Sequence, residues 1–186
     1  MIENEFKLML TEEQYEKIHY MFQWDKEHEQ TNYYFDTPQL TLVNSHVTCR
    51  VRKIDDEFLL QMKLPNGADY SRIELEEKLG AELPEAMAGE RLNALSGRND
   101  MPDVSLLGEL TTLRSVKKYD GAEIDLDKSS YFGKTDYELE IEFTDEAMAR
   151  ILLADIAQKI EITRAGDVCL GKVHRFVAEY KRQIRK

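Results

Sequence analysis

Two cysteines in 186 residues, Cys49 and Cys169, are too few and too isolated to build a disulfide framework or a zinc site. The four histidines, His19, His28, His46 and His174, show no metal-ligand spacing and read as structural or exposed. No apolar run approaches the roughly 20 residues of a membrane-spanning helix. Positive charge is also in short supply. With 25 Lys and Arg against 36 Asp and Glu, the formal net charge is -11, which disfavours nonspecific nucleic-acid or anionic-membrane binding. No signal-peptide pattern, internal repeat, low-complexity tract or flexible linker is evident. The expectation is a reducing, cytoplasmic setting with neither nucleic acid nor membrane as partner.

What the chain does have suits a soluble globular protein: 42% hydrophobic and 33% charged residues, enough for one domain over residues 1–186 with a real core. The most telling stretch is Asp136 to Phe143. On a β-strand, Glu138, Glu140 and Glu142 share one face while Tyr137, Leu139, Ile141 and Phe143 share the other. Similar alternation recurs at Glu3, Glu5 and Lys7; at Arg50 and Arg52; at Gln61 and Lys63; at Arg72, Glu74 and Glu76; and at Glu123, Asp125 and Asp127. Carboxylates at i and i+2 stand roughly 7 Å apart and repel by about 2.4 kcal/mol at an effective dielectric of about 20. A solvated face screens that repulsion, whereas an enclosed one needs cations close by. For one strand the solvated reading wins; its repetition in many segments, with both signs of charge, favours enclosure.

Taken in order, Met1 to Leu10 predicts a strand, followed by a helix to about Trp24 opened by a capping box at Thr11 and Gln14. Strands follow at 31–37, 47–54, 58–64 and 71–79, with turns at Asp55-Asp56 and Pro65-Asn66-Gly67. Residues 80–102 change period, and Leu83, Met87, Leu92 and Leu95 predict one or two short helices. Strands resume at 108–119, 122–129 and 134–143, with Asp120-Gly121 as a hairpin turn. Asp145 caps a helix to about Lys159 with Met148, Ile151, Leu152 and Ile156 as its stripe, and a last helix runs from about Lys172, with Val173, Phe176, Val177, Tyr180 and Ile184 inward. The fold class expected is α+β: an eight-stranded antiparallel β-barrel with a polar, charged interior and covering helices. That inverts the usual small barrel, and makes sense around a highly charged ligand. Arginine and lysine would hold phosphate oxygens, and carboxylates would hold magnesium or manganese.

At this point the residues match a family. Glu3-Asn4-Glu5-Phe6-Lys7 resembles the ExExK signature of the CYTH superfamily, the triphosphate tunnel metalloenzymes, which includes class IV adenylate cyclases, thiamine triphosphatases and inorganic triphosphatases. Tyr34-Phe35-Asp36-Thr37-Pro38, Arg50-Val51-Arg52, Lys63, the Arg72 to Glu76 strand, Arg114, Leu126-Asp127 and the Glu138 to Glu142 strand follow in the family's order. The resemblance implies Glu3, Glu5, Glu138 and Glu140 as metal ligands, with Glu142 an addition. It implies Lys7, Arg50, Arg52, Lys63, Arg72 and Arg114 as the phosphate-binding set, with Lys7, Arg52 and Arg114 closest to the chemistry. Glu74, Glu76, Glu123, Asp125 and Asp127 would orient those cations or assist the metal. By spacing alone Asp127 reads as a turn residue.

One departure concerns the phosphate set. Members often carry a basic residue two positions before the equivalent of Arg114, and Thr112 stands there, so that Lys172 and Arg175 on the last helix would compensate. The implied activity is Mg2+- or Mn2+-dependent hydrolysis of a triphosphate, most simply inorganic triphosphate, by a metal-positioned water. Two alternatives stay open: ATP cyclisation, and a non-catalytic module that binds polyphosphate or a phosphorylated metabolite. Cys49, with no identifiable base, reads as a small core residue.

Overall fold

The computed structural model describes residues 2–80, 82–161 and 170–185; Cys169 lies outside them. Strands β1 (Ile2–Leu10), β2 (Lys26–Asp36), β3 (Thr48–Ile54), β4 (Glu57–Asn66), β5 (Ala68–Lys78), β6 (Ala86–Met87), β7 (Val104–Tyr119), β8 (Ala122–Tyr131) and β9 (Lys134–Phe143) are joined by five helices. These are α1 (Glu12–Met21), α2 (Thr41–Asn44), α3 (Gly89–Ser96), α4 (Glu146–Lys159) and α5 (Lys172–Gln183). The hydrogen-bonded strand order is β2-β3-β4-β5-β1-β9-β8-β7-β6, and β2 also pairs with β7. The fold class is therefore the expected one, an α+β protein built on an eight-stranded antiparallel barrel. The two-residue β6 is a ninth strand that the sequence pattern does not announce. By internal contacts the chain divides into two compact units, residues 1–2, 30–111 and 172–186, and residues 3–29 and 112–171.

In the second unit, β1, β9 and β8 pair antiparallel in that order. Their apolar face carries Leu8, Leu10, Ile124, Leu126, Leu139 and Ile141, which pack with Tyr15 and Ile18 of α1 and with Ala149 and Ile156 of α4. Burying such side chains is worth about 1.5–3 kcal/mol each, which fixes both helices on this face. The capping box expected at α1 is present: Gln14 N–H donates to Thr11 Oγ1 and Thr11 N–H to Gln14 Oε1. The helix stops at Met21, short of Trp24. Asp145 caps α4 as expected. Ile151, placed by its spacing on the α4 stripe, is instead exposed, because the buried side of the helix runs through Ala149, Ile156 and Ala157. The β8–β9 turn holds Phe132 and Gly133 both at positive φ, the signature of a tight twisted hairpin.

In the first unit, residues 30–36 of β2 pair with β3, β3 with β4 and β4 with β5. Phe35, Cys49, Val51, Leu60 and Met62 form one face, packed with Leu42 of α2 and Leu92 of α3. Cys49 is accordingly a core residue, its thiol pushed up to about 12 by burial. Residues 80–102 contribute one helix, α3, whose Gly89 sits against Met101, where a Cβ would fall 2.1 Å from the carbonyl oxygen. On α5, Phe176 and Val177 are buried as expected, but Ile184 lies past the helix end and is exposed.

The Tyr34 to Pro38 motif has a structural role here. Asp36 is buried, and its carboxylate accepts the backbone N–H groups of Thr37 (2.7 Å), Leu42 (2.9 Å) and Val43 (3.0 Å), closing the β2–α2 corner. Leu40 takes the left-handed conformation that the corner requires.

Candidate active site

Register decides which charges meet in the second unit. Glu5, Glu142 and Glu123 stand directly opposite one another across β1, β9 and β8. Lys7, Glu140 and Asp125 form the next row, and Met9, Glu138 and Asp127 the one after. Like charges directly opposite are destabilising, so each row needs a cation. The middle row has one of its own, since Lys7 Nζ donates to Glu5 Oε2 at 2.7 Å and to Glu140 Oε1. Burial lowers the pKa of this ammonium, but Glu140, Glu5 and Glu138 outweigh it and hold Lys7 well above the ordinary lysine value.

Arg114 serves the last two rows. Its Nε donates to Asp127 Oδ1 at 2.8 Å, its Nη2 to Asp127 Oδ2 at 2.6 Å and to Glu140 Oε2 at 2.5 Å, and its Nη1 to Asp125 Oδ2. The two-pronged grip on Asp127 is the fork geometry that guanidinium favours. Asp127 is thus not a turn residue: it lies within β8 and is fully buried, as is Asp125, while Glu138 and Glu140 are 1% and 4% exposed. This part of the acidic face is as buried as the apolar one, while Glu3, Glu5, Glu123 and Glu142 are half-buried.

In the first row Lys7 reaches Glu5 and Lys118 Nζ lies 3.2 Å from Glu123 Oε2, at the row's two ends. One oxygen each of Glu3, Glu5 and Glu142 lie within 4.8 Å of one another, and so do oxygens of Glu123, Asp125 and Glu142. Burial, with Asp125 and Glu3 nearby and Arg114 opposing, pushes the Glu142 carboxyl up to about 8. Burial likewise pushes Asp125 up to about 7 against the pull of Arg114. Asp125 Oδ1 is buried with no hydrogen-bond partner. An all-carboxylate set with an orphaned oxygen is what a hard divalent cation would satisfy. A third group, Asp127, Glu138 and Glu140, is already occupied in part by Arg114 and Lys7.

The acidic residues expected in the metal set are therefore divided: Glu3, Glu5 and Glu142 come together, while Glu138 and Glu140 group with Asp127. Glu123 and Asp125, expected only in support, share a cluster with Glu142. Thr112, which stands where members of the resembled family often carry a basic residue, is fully buried, and its hydroxyl bonds Ser129 Oγ at 2.8 Å. The position is closed by a neutral pair.

In the first unit the polar face of the sheet carries the remaining candidates. Arg50 is buried; its Nε donates to Gln61 Oε1 at 3.0 Å, and its Nη2 lies 3.6 Å from Glu74. Gln61 donates on to Glu76 at 3.3 Å. Arg52 Nε donates to Asn32 Oδ1 at 3.1 Å. Lys63 stands opposite Glu74 on β5, and Arg72 opposite Pro65. Glu74 and Glu76 thus hold the Arg50–Gln61 chain in place. On α5, Lys172 is buried and Arg175 half-buried, and Phe176 rests against Tyr34 with ring centroids 4.8 Å apart. Gln30 of this face lies outside the run of β-formers at 31–37, because β2 starts at Lys26, while Asn32 lies inside that run but carries no charge to single it out.

Comparison with known proteins finds relatives in sequence and in fold. A profile of the CYTH domain matches residues 1–168. A Bacillus subtilis protein named "Putative triphosphatase YjbK" is 30% identical over 192 residues, covering 98% of each chain. A solved Bacillus halodurans structure described as a "putative adenylate cyclase" is 26% identical, with a TM-score of 0.75 over 94% of this chain and 96% of its own. A Hippeastrum protein, described as a "Putative adenylyl cyclase" with "a dominant triphophatase activity", shares the fold at a TM-score of 0.73 and 22% identity, over 95% and 96% of the two chains.

Proposed function

The chain belongs to the CYTH domain family, and from that premise we propose that it is a divalent-metal-dependent triphosphatase, with inorganic triphosphate as its simplest substrate. The observation that carries the reading is the orphaned, buried Asp125 oxygen in a carboxylate set beside two heavily anchored cations, Lys7 and Arg114. Glu3, Glu5 and Glu142, with Asp125 and Glu123, would hold Mg2+ or Mn2+. Bound there, the metal would supply charge neutralisation and a polarised water for attack on phosphorus.

The protein's own groups do the rest. Hydrolysis forms one bond from water oxygen to the terminal phosphorus and breaks the bridging P–O bond, and the leaving diphosphate takes up negative charge. Lys7 and Arg114 suit that charge because their carboxylate partners hold them in fixed positions, so little reorganisation accompanies the reaction. Arg50, Arg52, Lys63 and Arg72, with Lys172 and Arg175, are the further candidates for phosphate oxygens. Glu138, Glu140 and Asp127 position Lys7 and Arg114, and Glu74 and Glu76 position Arg50.

The test is phosphate release from tripolyphosphate with Mg2+ or Mn2+, comparing the native protein with Glu5→Gln and Glu140→Gln. Release by the native protein and its loss in both variants is expected. Tight binding of tripolyphosphate with no release under any divalent metal would leave a binding module instead. Running ATP in parallel checks the cyclase reading that the Bacillus halodurans relative's description raises: cyclic AMP with diphosphate as products would favour it.

A further inference from the structure

Strand β2 buries two carboxamides whose nitrogens have no hydrogen-bond partner. Gln30 is 2% and Asn32 1% exposed, and Gln30 Nε2 and Asn32 Nδ2 are buried without a hydrogen-bond partner. Buried N–H groups without an acceptor are destabilising and few in native proteins. A leucine or methionine would fill the same space on this strand, so the amides call for an explanation outside packing.

The orientation of Asn32 is fixed by chemistry. Arg52 Nε–H can only donate, so the Asn32 atom that meets it at 3.1 Å must be Oδ1. The Nδ2 donors are thereby turned away from Arg52 and held there. Asn32 stands directly opposite Arg52, and Tyr34 opposite Arg50, while Gln30 lies two residues earlier on the same face. The Asn32 N–H groups so held repel cations, and Arg52 beside them calls for an anionic acceptor.

We propose that Gln30 and Asn32 form a neutral donor pair that binds a phosphoryl oxygen of the substrate beside Arg52. The assignment rests on the triphosphatase reading and adds to it a pair of specificity-determining residues. Neutral donors suit this place because a further arginine would repel Arg50 and Arg52, whereas an amide adds direction without charge.

Two variants test it by tripolyphosphate titration calorimetry without metal, alongside thermal unfolding. Gln30→Met removes the donors at nearly constant volume, and its affinity should fall about tenfold while the unfolding midpoint holds or rises. Asn32→Asp keeps the acceptor for Arg52 and replaces the donors with charge; its affinity should fall further, about a hundredfold. Affinity within twofold of native in both variants overturns the proposal, and leaves the triphosphatase reading standing if the native protein still releases phosphate. Affinity loss in Gln30→Met with a lowered midpoint assigns a packing role and also overturns it. So does a loss seen with ATP but not with tripolyphosphate, which would place the amides on the nucleoside. A native protein that binds no tripolyphosphate ends both readings.

Discussion

Replacing Arg114 by methionine removes the charge but keeps most of the length, and so asks what the guanidinium holds together. It bonds Asp125, Asp127 and Glu140, all of them buried. Taking one partner from a buried ion pair is destabilising by about 3–5 kcal/mol, because the other charge is left uncompensated. Here Asp125 and Asp127 lose the guanidinium while Glu140 keeps Lys7, so the upper end of that range is expected at pH 8. Acid should relieve it. Asp125 is pushed up to about 7 even with Arg114 in place, against an unfolded value of about 4. Between those values folding takes up a proton; the resulting stabilisation is complete below about pH 4 and lost as pH rises through about 7. Without Arg114 the carboxyl moves higher still, and the penalty at pH 5.5 should shrink to about 2 kcal/mol. Urea unfolding of native and Arg114→Met proteins at pH 5.5 and pH 8, in chelator, measures both numbers. A difference under about 1 kcal/mol at pH 8, or an equal one at the two pH values, would refute the electrostatic account of this cluster.

Metal affinity should also climb with pH. Glu142 at about 8 and Asp125 at about 7 must each release a proton to act as ligands. Mn2+ binding should therefore strengthen by about tenfold to a hundredfold from pH 5.5 to 6.5, with proton release visible as a buffer-dependent heat in calorimetry; a flat profile would remove these two groups from the site. Asp36→Asn keeps the shape but sets an amide donor against a backbone donor at the β2–α2 corner. It should lower stability by about 2–3 kcal/mol in urea unfolding and leave the KM for tripolyphosphate unchanged at temperatures where the protein is folded. A raised KM with native stability would assign Asp36 to substrate instead.

Enclosure is what makes the cluster chemically useful. A carboxylate row in water is screened, and its members stay near ordinary carboxyl values. Buried on β8 and β9, the same groups either bind a cation or hold protons toward neutral pH. This is why Glu142 and Asp125 rise while Lys7 is held protonated beside them.

Much of this was legible from the sequence because it follows from local rules. Period-two alternation at Glu138, Glu140 and Glu142 assigns a face to each side chain whatever lies opposite, and the capping box at Thr11, the Asp145 cap, the turns and buried Cys49 depend on a few neighbouring residues. The ordered motifs from Glu3 to Glu142 likewise pointed to the family. Partnership across strands is different, since it depends on ladder register, a sum of contacts along whole strands that no short window contains. Only the tertiary structure set Glu142 opposite Glu5 and Glu138 opposite Met9, drew Asp127 out of an apparent turn to receive Arg114, left one oxygen of Asp125 without a partner, and extended β2 back to include Gln30. Alternation tells each charged group which way to face; burial and register determine which charge it meets there.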